Sequence, residues 1–208
     1  MMNVLFDDID YKNIKYIGFD LDGTLYDEFD FIKQVYDEIN NELLKDAQSH
    51  DYMLNRWLEK GSSYNKIYDE VYNKFEYMNY ESKGDFINNA LSIFRNFSPC
   101  LELNSRNKYF LDYFSNNYIL FLVTDGNPIL QKKKFLNLGL DKYFKKDNIV
   151  FTGEYGENYE KPHSKSIELL SHIECDHAIF VGDRDVDEKF ALSLGIRFLK
   201  VYNLIKVQ

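Results

Sequence analysis

The chain has 208 residues, is 45% hydrophobic and 17% aromatic, and carries a net charge of −9. That is enough apolar material for one domain, or one domain carrying an inserted module. No apolar stretch approaches the ~20 residues of a membrane helix, and apart from "QKKKF" at Gln131 to Phe135 there is no basic run. Neither a membrane nor a nucleic acid is therefore an expected partner.

The N-terminus, "MMNVLFDDIDYKN", lacks a basic region followed by an apolar run and does not read as a signal peptide. Cys100 and Cys175 have no metal-ligand spacing. Without an export signal they read as reduced, buried thiols in a cytoplasmic protein. The lysines of "QKKKF" read as a solvated helix face.

In chain order, "KYIGFD" is the first strand candidate; "YILFLVTDG", "NIVFTG", "AIFVGD" and "IRFLKVY" follow. Each run is short and continuous, as buried parallel strands are. Helical patterns lie between the later ones, at Pro128 to Leu138, Ser164 to His172 and Val186 to Leu194, with Gly139 and Gly195 as stop signals. Alternating strand and helix predicts an α/β domain with a mostly parallel, Rossmann-like sheet.

The alternation is interrupted between the first and second strands. There the apolar positions fall at helical spacing: Phe31, Val35, Ile39 and Leu43; then Tyr64, Ile67, Tyr68, Val71, Tyr72 and Phe75; then Phe86, Ala90 and Phe94 after Gly84. Met53, Trp57 and Leu58 suggest a short fourth helix. The expected organisation is a helical-bundle cap over residues 26–99 inserted into a core made of 1–25 and 100–208. These aromatic stripes read as core rather than as ligand sites.

Three strands end on polar groups: Asp20 with Asp22 after the first; Thr124, Asp125, Gly126 and Asn127 after the second; Gly182, Asp183, Asp185 and Asp187 after the fourth. Ligand sites of open parallel sheets lie outside the carboxyl ends of the strands. Asp20 and Asp183 are hard oxygen donors that suit Mg2+, which takes one or two carboxylates together with waters and a substrate phosphate. Asp20 can also attack phosphorus. Asp22 can give a proton to the leaving oxygen and later take one from water. The Thr124 hydroxyl and the N–H groups of Gly126 and Asn127 form a phosphate seat at a helix start. Lys161, stiffened by Pro162, can neutralise the phosphate and the transition state.

"FDLDGTL", "LVTDG", "EKP" and "VGDRDVDEKFALSLGI" resemble, in order, the four motifs of the haloacid dehalogenase superfamily, and they span Tyr16 to Ile196. The helical block is similar to the cap many members carry there. The resemblance implies Asp20 as nucleophile and metal ligand, and Asp22 as general acid/base that ligates the metal through its backbone carbonyl. It implies Thr124, with the neighbouring amides of Asp125 and Gly126, and Lys161 as phosphate binders. It makes Asp183 a metal ligand and Asp187 a support. A carboxylate at Asp22 is the mark of phosphatases and phosphomutases, and weighs against dehalogenation.

Two positions depart from the common pattern. Arg184 stands where Ser or Thr is frequent, and reads as a solvent-facing loop residue, with pairing to Asp185 or a neighbour, or contact with substrate, as alternatives. His163 follows the third motif, and the simpler reading keeps it out of the chemistry. Asp125 can instead cap the helix after the second strand. The segment "TDGNPILQKKKFLNLGLDKYF" resembles nucleotidases and sugar-acid phosphatases of the superfamily. The expected function is a magnesium-dependent phosphatase acting on a small phosphorylated metabolite, a sugar phosphate or a nucleoside monophosphate, as a monomer or homodimer. A β-phosphoglucomutase-like phosphomutase and a non-catalytic phospho-ligand binder are the alternatives.

Overall fold

A computed structural model describes residues 11–75 and 82–201. Five parallel strands form one sheet in the order β3-β2-β1-β4-β5. They are β1 (Tyr16–Phe19), β2 (Ile119–Thr124), β3 (Ile149–Phe151), β4 (Ala178–Gly182) and β5 (Arg197–Lys200). Tyr16 aligns with Ile119 on one side and with Ala178 on the other, so β1 is central and its end lies level with its neighbours' ends. The chain winds from β1 outward through β2 and β3, then crosses to β4 and β5. The order therefore reverses at β1 and β4, where a doubly wound sheet opens its ligand crevice.

Gly18 explains how β1 fits between two aromatic strands. A Cβ there would lie 2.2 Å from Phe121 Cζ and 2.6 Å from Phe180 Cδ2. The space belongs to those rings, whose centroids are 6.0 Å apart.

Between β1 and β2 run α1 (Glu28–Ile39), α2 (Ala47–Lys60), α3 (Ile67–Phe75), α4 (Lys83–Asn96) and α5 (Ser105–Asn117). Four of their starts, all but that of α3, are fixed locally. Asp27 accepts from Phe29 N–H, Asp46 from Ser49 N–H, Ser82 from Asp85 N–H and Asn104 from Asn107 N–H. Such caps contribute about 1 kcal/mol each. The expected stripes are buried at their centres, at Phe31, Val35 and Ile39 on α1, Met53 and Trp57 on α2, Ile67 and Val71 on α3, and Phe86 and Ala90 on α4, while Leu43, Tyr64, Tyr68, Tyr72, Phe75 and Phe94 are half-buried. They share one apolar cluster with Phe19, Leu122 and Ile179 of the sheet. No described helix is long and apolar enough to cross a membrane.

Several expectations need correction. The short helix expected around Met53 is the full α2, and Leu58 on it is exposed. The segment after Lys161 is a 3-10 helix, Ser164–Leu170, rather than an α-helix. Helix α5 has only Leu111 and Phe114 buried, and the sequence reading did not anticipate it. Cys100 is exposed and Cys175 half-buried, so neither is the buried thiol expected. The last strand stops at Lys200, and Tyr202 of the expected run lies outside the described residues. Helices α6 (Pro128–Asn137) and α7 (Asp185–Ser193) stand where they are expected.

Candidate active site

The site is assembled where β1, β2 and β4 end. Asp20 directly follows β1, and its N–H donates to Val181 O at 2.9 Å. That bond carries the sheet ladder one residue past the strand and fixes the carboxylate. Gly23 then turns the chain with φ +74, and a Cβ there would lie 2.5 Å from Asp183 Oδ2. Only glycine lets the turn pass so close to that carboxylate at a left-handed φ.

Lys161 is the centre of charge. Its Nζ donates to Asp20 Oδ1 and to Asp187 Oδ1, both at 2.5 Å, and all three side chains are at most 1% exposed. Burial alone would discharge the ammonium, but Asp20, Asp187 and Asp125 outweigh it and raise the Lys161 pKa. For Asp20 burial wins: with the Asp187 charge added and Lys161 opposing, the carboxyl is pushed up to about 7. Asp183 is raised as well, by burial against the pull of Arg184.

The donor set fits a hard divalent cation. Oxygens of Asp20, Asp183 and Asp187 lie within 4.8 Å of one another. Asp20 Oδ2 is buried with no hydrogen-bond partner, and a bare carboxylate oxygen there is costly unless a cation meets it. Asp187 thus joins this acidic cluster besides supporting Lys161; it also accepts from Arg184 N–H at 3.0 Å.

Asp22 is held apart from this cluster. Lys134 Nζ donates to its Oδ1 at 2.7 Å and Gln131 Nε2 to its Oδ2 at 2.6 Å, and the Tyr26 hydroxyl donates to Oδ1. Burial pushes the Asp22 carboxyl up, but Lys134 and these hydrogen bonds outweigh it and its pKa is lowered. Gln131 and Lys134 belong to the run read as a solvated face, and that reading is wrong for both: they are 4% and 3% exposed, while Lys132 of the same run is exposed. Their spacing of three residues on one helix face was the signal available. Lys134 also lies 3.9 Å from the centroid of the Phe31 ring, on α1.

Thr124 is buried, and its Oγ1 accepts from Gln131 Nε2 at 3.0 Å. Gly126 begins the turn into α6 with φ +107. The cap of α6 is Asn127, which accepts from Leu130 N–H at 3.1 Å. Asp125 is therefore not the cap; it accepts from Thr152 Oγ1 at 2.9 Å and from Lys161 N–H at 3.1 Å, tying the lysine loop to β2.

Arg184 is half-buried, and of the readings offered it is the pairing with a neighbour that the structure gives. Its side chain is 35% exposed, with Nη2 4.0 Å from Asp125 Oδ2 and Nε 3.9 Å from Asp187 Oδ2. Asp185 pairs instead with Lys200, at 2.8 Å. His163 is exposed. Glu28 was not anticipated: it opens α1 and lines a cavity beside Asp183 and Arg184. Burial, with Asp22 adding, pushes its carboxyl up to about 8.

The profile of the haloacid dehalogenase-like hydrolases matches residues 17–201. The chain is 28% identical over 205 residues to the glyceraldehyde 3-phosphate phosphatase of Methanocaldococcus jannaschii, covering 90% of this chain and 86% of that one. It is 27% identical to the Pyrococcus furiosus protein of the same name, with 83% and 74% covered. Among solved structures, a subfamily IA hydrolase from Geobacter sulfurreducens superposes with TM-score 0.63 at 23% identity, covering 89% of this chain and 86% of that one. The L-2-haloacid dehalogenase of Xanthobacter autotrophicus gives TM-score 0.63 at 18% identity, with 92% and 78% covered.

Proposed function

The chain belongs to the haloacid dehalogenase-like hydrolases, and on that premise we propose that it is a magnesium-dependent phosphatase of a small sugar phosphate. The observation that carries this reading is the buried Lys161 ammonium bridging Asp20 and Asp187, with Asp22 present as a second, separately held carboxylate. Relatives named glyceraldehyde 3-phosphate phosphatase favour a sugar phosphate over a nucleoside monophosphate.

In this reading an Asp20 oxygen attacks phosphorus and forms an aspartyl phosphate, while the bond to the leaving oxygen breaks. The protonated form of Asp22 gives that oxygen its proton, and Lys134 and Gln131 hold the carboxylate that results. Water then attacks the phosphoenzyme, Asp22 takes the water proton, and Asp20 and inorganic phosphate are released. Lys161 stays beside Asp20 throughout and offsets the charge spread over the phosphoryl oxygens. Thr124, with the amides of Asp125 and Gly126, seats those oxygens. Asp20, Asp183, Asp187 and the Asp22 backbone carbonyl are the groups that would hold Mg2+. When bound, the ion neutralises phosphoryl charge and draws phosphate and carboxylate together.

The test is phosphate release from glyceraldehyde 3-phosphate, glucose 6-phosphate and AMP, with magnesium, with chelator, and with Asp20→Asn. Release from a sugar phosphate that chelator and Asp20→Asn both abolish supports the reading. A folded, magnesium-loaded protein that releases phosphate from none of them overturns it. A phosphomutase would instead return an isomeric phosphate ester from the same assay.

A further inference from the structure

Gln131 Nε2 touches three groups of the site at once. It donates to Asp22 Oδ2 at 2.6 Å, to Asp125 O at 2.7 Å and to Thr124 Oγ1 at 3.0 Å. The residue is 4% exposed and stands one turn into α6, its own backbone N–H bonded to Asn127 O at 2.9 Å. Its other polar atom is unmet: among the described residues nothing donates to the buried Oε1. Rotating the amide would not help, because Oε1 would then face a carboxylate and a carbonyl, neither of which has a proton to give. A buried acceptor left without a donor is costly. The amide is therefore held in the orientation that serves its neighbours rather than the helix that carries it.

Resting on the phosphatase reading, we infer that Gln131 is the positioning residue that aligns the phosphate seat with the acid/base carboxylate. Each contact orients one group. Asp22 Oδ1 is taken by Lys134 and Tyr26, so the bond from Gln131 to Oδ2 fixes the second oxygen and with it the plane of the carboxylate. The Asp125–Gly126 peptide is trans, and in a planar trans peptide the carbonyl and the N–H point to opposite sides. A carbonyl turned to Gln131 sends the Gly126 N–H the other way, toward the phosphoryl oxygens it would seat. Thr124 Oγ1 faces an amide nitrogen, which accepts no hydrogen bond. Its proton is directed away from Gln131 and, among the described residues, meets no other acceptor, so it stays free to donate to phosphate. One amide on a rigid helix thus sets the spacing between the group that protonates the leaving oxygen and the groups that hold the phosphoryl oxygens.

The experiment uses Gln131→Met, which keeps the length of the side chain and removes the donor. It reads kcat/KM for an alkyl ester the parent turns over (glyceraldehyde 3-phosphate or glucose 6-phosphate) and for acetyl phosphate. Acetate leaves as its carboxylate and needs no proton, so the acyl phosphate reports the phosphate seat alone, while the alkyl ester reports the seat and the acid together. The expected fall is about tenfold for acetyl phosphate and about 10²-fold or more for the alkyl ester. The inhibition constant of inorganic phosphate is expected to rise about tenfold. Gln131→Asn, which keeps the amide but stops one methylene short, is expected to show the same split, and serves where the Met variant melts below the assay temperature. An equal fall on both esters, the pattern of a merely structural role, overturns the inference, and so does an unchanged inhibition constant for phosphate. Failure of both variants to fold assigns Gln131 to the fold and overturns it too. Each of these results leaves the phosphatase reading standing. A parent that releases phosphate from none of these compounds removes the reading and the inference together.

Discussion

Lys134 Nζ lies 2.7 Å from Asp22 Oδ1, joining two residues 112 positions apart. The contact ties α6 to the turn after β1, and the Phe31 ring at 3.9 Å extends it to α1. Lys134→Met removes the cation that outweighs burial at Asp22. The Asp22 pKa is then expected to rise, moving to higher pH the alkaline limb of the pH–rate profile, which a general acid sets. Because the native pKa is depressed, this pair stabilises the fold above the ordinary carboxylate pKa and stops doing so as pH falls through the native one. The loss near neutral pH is expected at about 1.5–3 kcal/mol, shrinking toward zero in acid. Denaturant melts of both proteins across pH check the sign, and a constant difference counts against it.

Lys161→Met leaves Asp20 and Asp187 facing each other without their shared cation. Breaking a buried charge pair on one side costs about 3–5 kcal/mol. The variant is expected to melt well below the parent, and phosphate release to fall by about 10²–10³-fold or more, as when a transition-state donor is lost. Adding Asp187→Asn to the same chain should recover part of the stability and none of the activity. Calorimetry and phosphate assays of the single and double variants read this.

The Asp20 carboxyl is pushed up to about 7, first by burial and then by Asp187. A raised native pKa means that this group's contribution is present below the ordinary value of 3.8 and is lost as pH rises through about 7. A divalent cation competes with that proton. Magnesium should therefore raise the melting temperature more at about pH 8 than at about pH 6. In Asp20→Asn that pH dependence should flatten. A magnesium shift independent of pH would count against Asp20 as a ligand.

Gly18→Ala drives a methyl into the space of Phe121 and Phe180, with Cβ contacts of 2.2 and 2.6 Å. Rings and strand must move apart, at a cost of about 1–3 kcal/mol or more. Since β1 carries Asp20, activity should fall along with stability. Trimming Phe121 to Leu in the same chain should restore part of both, measured by urea melts and phosphate release.

Much of the fold was open to the sequence because its determinants are local. A buried strand needs only a short apolar run, and each of the five appears as one. Asp20 and Asp183 announce themselves as acids ending such runs, and Gly23 and Gly126 as turn residues with positive φ. Helix α5 escaped because most of its face is half-exposed, with Tyr109 and Tyr113 open to solvent, so no sharp apolar stripe marks it. Ser164–Leu170 was expected as a helix, but hydrophobic spacing does not separate a 3-10 turn from an α-helix over so few residues.

The sequence by itself determined the strand ends, the carboxylates placed on them and the lysine that follows the third strand, since each is set by neighbours a few residues away. Only the tertiary structure decided what those groups meet. It turned Gln131 and Lys134 inward to Asp22, gave Asp125 to the lysine loop instead of a helix cap, and set Glu28 and Arg184 on one cavity. A lysine in a basic run can be solvated or buried with equal local propensity. Which it is depends on the facing of packed elements, because a buried charge is tolerated only where a distant partner arrives to meet it.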